Sequence, residues 1–165
     1  MNAKLSLAAV SLALMAAPVL ASPAASPARP NIILLFADDM GWADISVQGA
    51  KTPTANLDRL AATGQRWTNF YVSSPVCSPS RGGLMTGRLE TRTGLYGAQT
   101  PVLLEKDPDG FPAGELTIAD SLRQNGYHTI MYGKWHLGNQ AQDFPTRHGF
   151  DEWFGIPISN DCYNT

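Results

Sequence analysis

Asp38 and Asp39 follow directly on the apolar run Asn31-Ile32-Ile33-Leu34-Leu35-Phe36. In open α/β sheets, ligands gather beyond the carboxyl ends of the strands. Two adjacent carboxylates there repel one another unless a cation lies between them, and hard divalent cations take such oxygens. A solvated turn accounts for the same dipeptide, because Asp is frequent after strands. The second cluster is Cys77-Ser78-Pro79-Ser80-Arg81, continuing through Leu84 to Thr86-Gly87-Arg88. A thiol just before a helix and beside Arg81 is activated as a nucleophile. Pro79 suits a first helical turn, where its missing N–H costs nothing, and a helix start attracts an anion. A disulfide cysteine, or a buried thiol beside a turn, fits Cys77 as well. The third cluster is Lys134 and His136, one residue apart. On an extended segment such residues point the same way, and a cation beside an imidazole suits an oxyanion such as sulfate or phosphate. An ordinary surface loop is the alternative.

Other residues of these types carry less. Cys77 and Cys162 are the only two cysteines, and no C-x-x-C or His spacing accompanies them, which argues against a zinc site. Gly133-Lys134 is no P-loop, since the earlier glycine is absent and Trp135 stands where Ser or Thr is required. His128 and His148 read as structural, Trp135, Trp153 and Phe154 as packing, and Arg59 and Arg66 as solvated. Asp151-Glu152 follows no apolar strand and reads as surface.

Elements must hold these clusters together. The unbroken apolar run over 31–36 predicts a strand buried on both faces of a parallel sheet. Leu57, Leu60 and Ala61 recur at helical spacing between Thr54 and Thr63, with Gly64 as the stop. Trp67 to Val72 is aromatic and β-branched enough for a strand. Ser73 to Ser80 reads as a turn, with a short helix from about Arg81. A loop-rich stretch follows from Gly94 to Gly114. Thr117 and Asp120 have capping-box spacing at the head of a helix over 117–124, with Gly126 as its stop. His128 to Tyr132 reads as a strand entering the loop Gly133-Lys134-Trp135-His136-Leu137-Gly138, and the tail from Asp143 as irregular. This alternation predicts an α/β fold, the N-terminal part of a mostly parallel sheet with helices on both faces.

The chain has 165 residues, 12 Lys+Arg against 14 Asp+Glu, 44% hydrophobic and 16% charged residues. That balance is globular, and the absence of basic runs gives no reason to expect nucleic acid. The length suits roughly one domain. Lys4, an uncharged apolar stretch from Leu5 to about Leu20, and Val19-Leu20-Ala21 predict a signal peptide over 1–21. The stretch is shorter than a bilayer span needs and Pro18 interrupts it, so no stable membrane anchor is expected. Residues 22–30 read as a flexible spacer. Residues 31–165 hold the fold, and the location implied is periplasmic or secreted.

Taken together, these segments resemble the N-terminal part of a sulfatase of the arylsulfatase type, in the alkaline-phosphatase-like superfamily. Asn31 to Gly41 is similar to the family's opening strand and metal loop. Cys77-Ser78-Pro79-Ser80-Arg81 carries its Cys-x-Pro-x-Arg signature, and Gly133-Lys134-Trp135-His136-Leu137-Gly138 is similar to its second signature. The stretch Phe144-Pro145-Thr146-Arg147-His148-Gly149-Phe150-Asp151-Glu152 also resembles the family, with no chemistry attached.

The resemblance implies a calcium-dependent sulfuric ester hydrolase. It implies that a formylglycine-generating enzyme oxidises Cys77 to an aldehyde whose hydrate is the nucleophile, one hydroxyl attacking sulfur and the other expelling sulfate. A thiol consumed in that way cannot also bridge to Cys162. Asp38, Asp39 and the converted Cys77 are implied as calcium ligands, Arg81 as the group holding the hydrate, and Lys134 and His136 as catalytic and sulfate-binding. Family members are several times longer and supply further site residues, so the sequence reads as a fragment not active alone. A phosphate or phosphonate monoester hydrolase of the same superfamily, or a truncated non-catalytic product, are the alternatives.

Overall fold

The computed structural model describes residues 29–95 and 102–159. The expected signal peptide and most of the spacer lie outside the described residues, as does Cys162. The chain divides into two units, Met1–Phe36 and Ala37–Thr165. In the first, residues 29–36 form no helix or strand, and Ile33 and Leu35 are 82% and 76% exposed. The buried strand expected over 31–36 is therefore absent. Its apolar pattern specifies an interior position, flanked by strands and covered on both faces. A two-stranded sheet has only edges, and the described residues form no larger sheet.

The second unit holds the regular structure, an α/β arrangement with a small parallel sheet flanked by helices. Helix α1, Ala55–Thr63, forms where the periodicity predicts it, with Gly64 as the C-cap. The Thr54 hydroxyl does not cap it, because Ser46 and Asp58 already engage that oxygen at 2.9 and 3.2 Å. Asp58 in the first turn also takes the Val47 N–H, tying the turn Ser46–Gln48 to the helix. No residue of α1 is buried, so its amphipathic face is uncovered.

Helix α2 spans Cys77–Thr86 and begins four residues before the expected position, so Ser73–Ser80 is not all turn. Pro79 lies in its first turn, where no intrahelical donor is required. Its second turn passes close to the core: a Cβ on Gly82 would clash with Leu95 Cδ1. After Gly87 comes a one-turn helix α3, Glu90–Thr93, in a stretch given no element by the sequence. Helix α4, Ile118–Gln124, carries the expected capping box, with the Thr117 hydroxyl accepting from the Asp120 N–H. That hydroxyl also lies 2.8 Å from the His148 carbonyl, joining the helix head to a loop 31 residues on. Asn125 is the cap, and Gly126 follows at φ 79°.

Strand β1, Ile130–Tyr132, pairs in parallel with β2, Glu152–Phe154, with Met131 opposite Trp153. The second strand lies in the tail expected to be irregular. The strand expected over 67–72 is absent, and Trp67, Phe70, Tyr71 and Val72 are exposed. The core comprises Met85, Leu95, Phe111, Trp135 and Leu137. Two of its members belong to the loop after β1, which is thereby fixed rather than solvated. Burying side chains of this size contributes about 1.5–3 kcal/mol each, and Trp135 adds a 2.7 Å hydrogen bond to the Asp143 carbonyl.

Candidate active site

Cys77 is the first residue of α2 and Arg81 lies one turn later, the spacing that puts two side chains on one helix face. Lys134 comes from the loop after β1 and Asp38 from the opposite end of the described chain. The structure brings these four together. Lys134 Nζ is 2.9 Å from Asp38 Oδ2 and 3.2 Å from Cys77 Sγ. Arg81 Nη2 is 3.4 Å from the same Asp38 oxygen, and Arg81 Nη1 donates to the Lys134 carbonyl at 2.7 Å. The guanidinium thus holds both the charge and the backbone of its neighbours.

The Lys134 hydrogen bond holds the Asp38 carboxyl below the usual carboxylate value. Partial burial opposes the shift, and the charges of Lys134 and Arg81 reinforce it. Burial works against the Lys134 charge, yet hydrogen bonds to Asp38 and Cys77 outweigh it and raise its pKa. Both groups are therefore charged at neutral pH. Cys77 forms no disulfide and is half-buried. Asp39 is exposed at φ 54°, a left-handed conformation that Asp tolerates.

His136 departs from the expected alternation. The segment is not extended there, since His136 has φ 57°. Its ring is 1% exposed, with Nε2 2.9 Å from the Leu103 carbonyl. The loop is held along its length: Gly133, Trp135 and His136 donate backbone N–H bonds to Phe154, Ile156 and Pro157 carbonyls.

Among the described residues, no group of three or more His, Cys, Asp or Glu is arranged to hold a metal ion. Asp38 is an ionised carboxylate linked through Lys134 to the Cys77 side chain, and Asp39 adjoins it as an exposed carboxylate. Two carboxyl side chains are oxygen donors of the type calcium takes, but they supply only part of the 6–8 oxygens it needs.

The two histidines read as structural behave as such, whereas Phe154, read as packing, is 78% exposed. His148 is buried, edge-on to Phe111 at 4.8 Å and stacked near Trp135, and burial depresses its pKa. His128 is exposed and bridges Glu152 at 2.7 Å and Asp151 at 3.3 Å. Sequence reasoning missed Ser78, which is fully buried and accepts the Leu103 N–H at 2.9 Å. Nothing in a serine beside a cysteine signals a partner 25 residues away.

Residues 30–165 match the sequence profile of the family described as "Sulfatase". N-acetylgalactosamine-6-sulfatase of Homo sapiens is 47% identical over 140 residues, covering 80% of this chain and 26% of that protein. Arylsulfatase G of Mus musculus is 46% identical over 134 residues, covering 81% and 25%. Among solved structures, "Crystal structure of Ps i-CgsB" superposes with a TM-score of 0.73 at 39% identity, covering 80% of this chain and 29% of that one. The same protein in complex with k-i-k-neocarrahexaose gives a TM-score of 0.67 at 36% identity, covering 74% and 27%. The chain thus spans about a quarter of the length of the curated relatives it matches.

Proposed function

Because this chain belongs to the sulfatase family, we propose that it is the nucleophile-bearing segment of a sulfuric ester hydrolase. The observation that carries the reading is Lys134 Nζ, within 3.2 Å of Cys77 Sγ and 2.9 Å of Asp38 Oδ2. A fixed ammonium beside the nucleophile's side chain stabilises negative charge developing on a sulfate oxygen. Arg81 contributes a second cation and, through the Lys134 carbonyl, holds that ammonium's backbone. Asp38 keeps both cations in register. His136 lines the same loop, with its orientation fixed by Leu103.

In this reading Asp38, Asp39 and the oxidised Cys77 side chain would hold calcium, Arg81 the hydrate, and Lys134 and His136 the sulfate. The ion would supply Lewis-acid polarisation of a sulfate oxygen. A formylglycine at position 77 would supply a nucleophile with a second hydroxyl through which sulfate can leave. The relatives are named for a sulfated sugar and for an aryl sulfate, so both ester classes are the substrates to assay. The partner that oxidises Cys77 is a formylglycine-generating enzyme. Export through the leader over 1–21 gives a periplasmic or secreted protein. Among the described residues no helix is long and apolar enough to cross a membrane.

The test uses the longer protein that contains this segment, produced together with the modifying enzyme. Peptide mass analysis reads conversion of Cys77, and sulfate release from an aryl sulfate reads turnover. Turnover is expected, with loss of at least about 10³-fold in Cys77→Ala, as for removal of a covalent nucleophile. Confirmed conversion with no sulfate release sinks the reading. Faster release from phosphate esters selects the phosphatase alternative. The 165-residue chain by itself is expected to show no turnover.

A further inference from the structure

We propose that His128 is a proton-operated clip across the head of the β1–β2 pair, closed when its imidazole is protonated and open when it is neutral. His128 stands just before β1, separated from it by Thr129 alone. Its Nε2 lies 2.7 Å from Glu152 Oε1, and its Nδ1 lies 3.3 Å from Asp151 Oδ2. An ionised carboxylate only accepts, so both contacts are favourable only when both ring nitrogens carry protons. The neutral ring has a single N–H and keeps one contact. Its other nitrogen then turns a lone pair on a carboxylate.

The other half of the clip is fixed. Asp151 Oδ2 also accepts the Thr129 N–H at 2.9 Å, while the Thr129 carbonyl takes the Asp151 and Glu152 N–H groups at 2.9 and 3.2 Å. The bond from the Thr129 N–H, with the charges of His128 and Arg123 behind it, holds the Asp151 carboxyl below its usual value. Asp151 therefore stays ionised while His128 titrates. Arg123 comes from α4, where it also faces Asp120 at 3.8 Å. The hydrogen bond to Glu152 raises the His128 value, partial burial opposes the shift, and the two carboxylate charges reinforce it. The clip thus acts in full below the ordinary value of 6.5 and is lost as pH rises through the raised one. A pair of such short strands is marginal by itself, so contacts at its head matter. At its other end β1 runs into the loop that carries Lys134, where the Gly133 N–H donates to the Phe154 carbonyl at 2.9 Å. Closing the clip seats the strand that presents Lys134. The clip stands whether or not the chain hydrolyses sulfate esters.

The experiment is NMR on the ¹⁵N-labelled 165-residue chain over about pH 5 to 8, the range in which histidine titrates. His128 is expected to titrate above 6.5, with both ring nitrogens protonated below its midpoint. Glu152→Gln, which removes one charge from an exposed site, should lower that midpoint. Amide exchange at Asp151, Glu152 and Gly133 is read relative to α2 amides, so that the intrinsic pH dependence cancels. It should be about 2- to 5-fold slower with the clip closed than open, the range an exposed ion pair allows. His128→Gln should make the ratio independent of pH. A His128 midpoint at or below 6.5 overturns the proposal, as does one that Glu152→Gln leaves unmoved. A wild-type ratio that does not change with pH also overturns it, and so does a change that persists in His128→Gln. A second measurement uses the longer protein that contains this segment. There His128→Gln should lower the melting temperature more at about pH 5 than at about pH 8, and equal losses at both overturn the proposal.

Discussion

Two cations crowd one carboxylate oxygen at Asp38, with Lys134 at 2.9 Å and Arg81 at 3.4 Å, so the local charge depends on which groups are ionised. Asp38 has a depressed pKa when folded. Its contribution to stability is present above the ordinary carboxylate value and is lost as pH falls through the depressed one. Lys134 has a raised pKa when folded. Its contribution is present below the ordinary lysine value and is lost as pH rises through the raised one. Lys134→Ala should therefore move the Asp38 midpoint upward toward 3.8, read by carbon NMR titration of the carboxyl. An unchanged midpoint would show that Lys134 is not the group holding it. The stability loss at neutral pH should stay within about 1 kcal/mol, because Asp38 is partly exposed and exposed pairs contribute little. Asp38→Ala should weaken calcium binding in the longer protein, and unchanged affinity by calorimetric titration would remove Asp38 from the metal site. Each of these side chains was identifiable from residue type and local spacing. Their contacts were not, since Asp38 and Lys134 are 96 residues apart and only the folded loop brings the ammonium to the carboxylate. The left-handed turn at His136 was equally hidden, because histidine adopts positive φ too seldom for its residue type to mark the position.

Helices were legible where their signals are local. The capping box at Thr117 and the Leu57–Leu60 period act within one or two turns, so α4 and α1 form where their own residues dictate. Strands depend on neighbours. The runs over 31–36 and 67–72 have strand composition but no strand, whereas Glu152–Phe154 pairs with β1 despite its polar start. Asp151 anchors that start by accepting the Thr129 N–H at 2.9 Å, a contact across 22 residues that no period reveals. The head of α4 tests this view of local and distant control. Thr117→Ala removes both a cap and a buried bond to the His148 carbonyl. It should cost about 2–3 kcal/mol, the sum of a typical cap and one further buried hydrogen bond. Thr117→Ser should recover most of that in urea unfolding. A cost below about 0.5 kcal/mol would mean that the cap is dispensable. Gly82→Ala should cost about 1–3 kcal/mol by overpacking against Leu95, with the Cys77 end of α2 displaced. An unchanged melting temperature would show that the helix can move away freely.

At the scale of the whole molecule, the outward face of the β1–β2 pair carries three large apolar side chains, with Glu152 opposite Ile130 as its one charge. Tyr132 and Phe154 sit opposite one another and are 75% and 78% exposed, with Ile130 beside them at 45%. Soluble monomers rarely leave such patches open, and each aromatic of this kind offers about 1.5–3 kcal/mol on burial. The 165-residue chain should accordingly self-associate as its concentration rises, read by sedimentation velocity. Tyr132→Lys together with Phe154→Lys should return it toward the monomer. Relatives about four times longer bring additional chain to the same fold, which gives the pair of substitutions a second and opposite expectation. In the short chain they replace exposed groups and should change stability by no more than about 0.5 kcal/mol. If further chain covers this face in the longer protein, they bury two charges there and should cost at least about 3 kcal/mol. Equal, small effects in both would show that the sheet face is solvent-exposed in the complete protein. A large effect confined to the longer one would identify the face as the seam along which the rest of the domain packs.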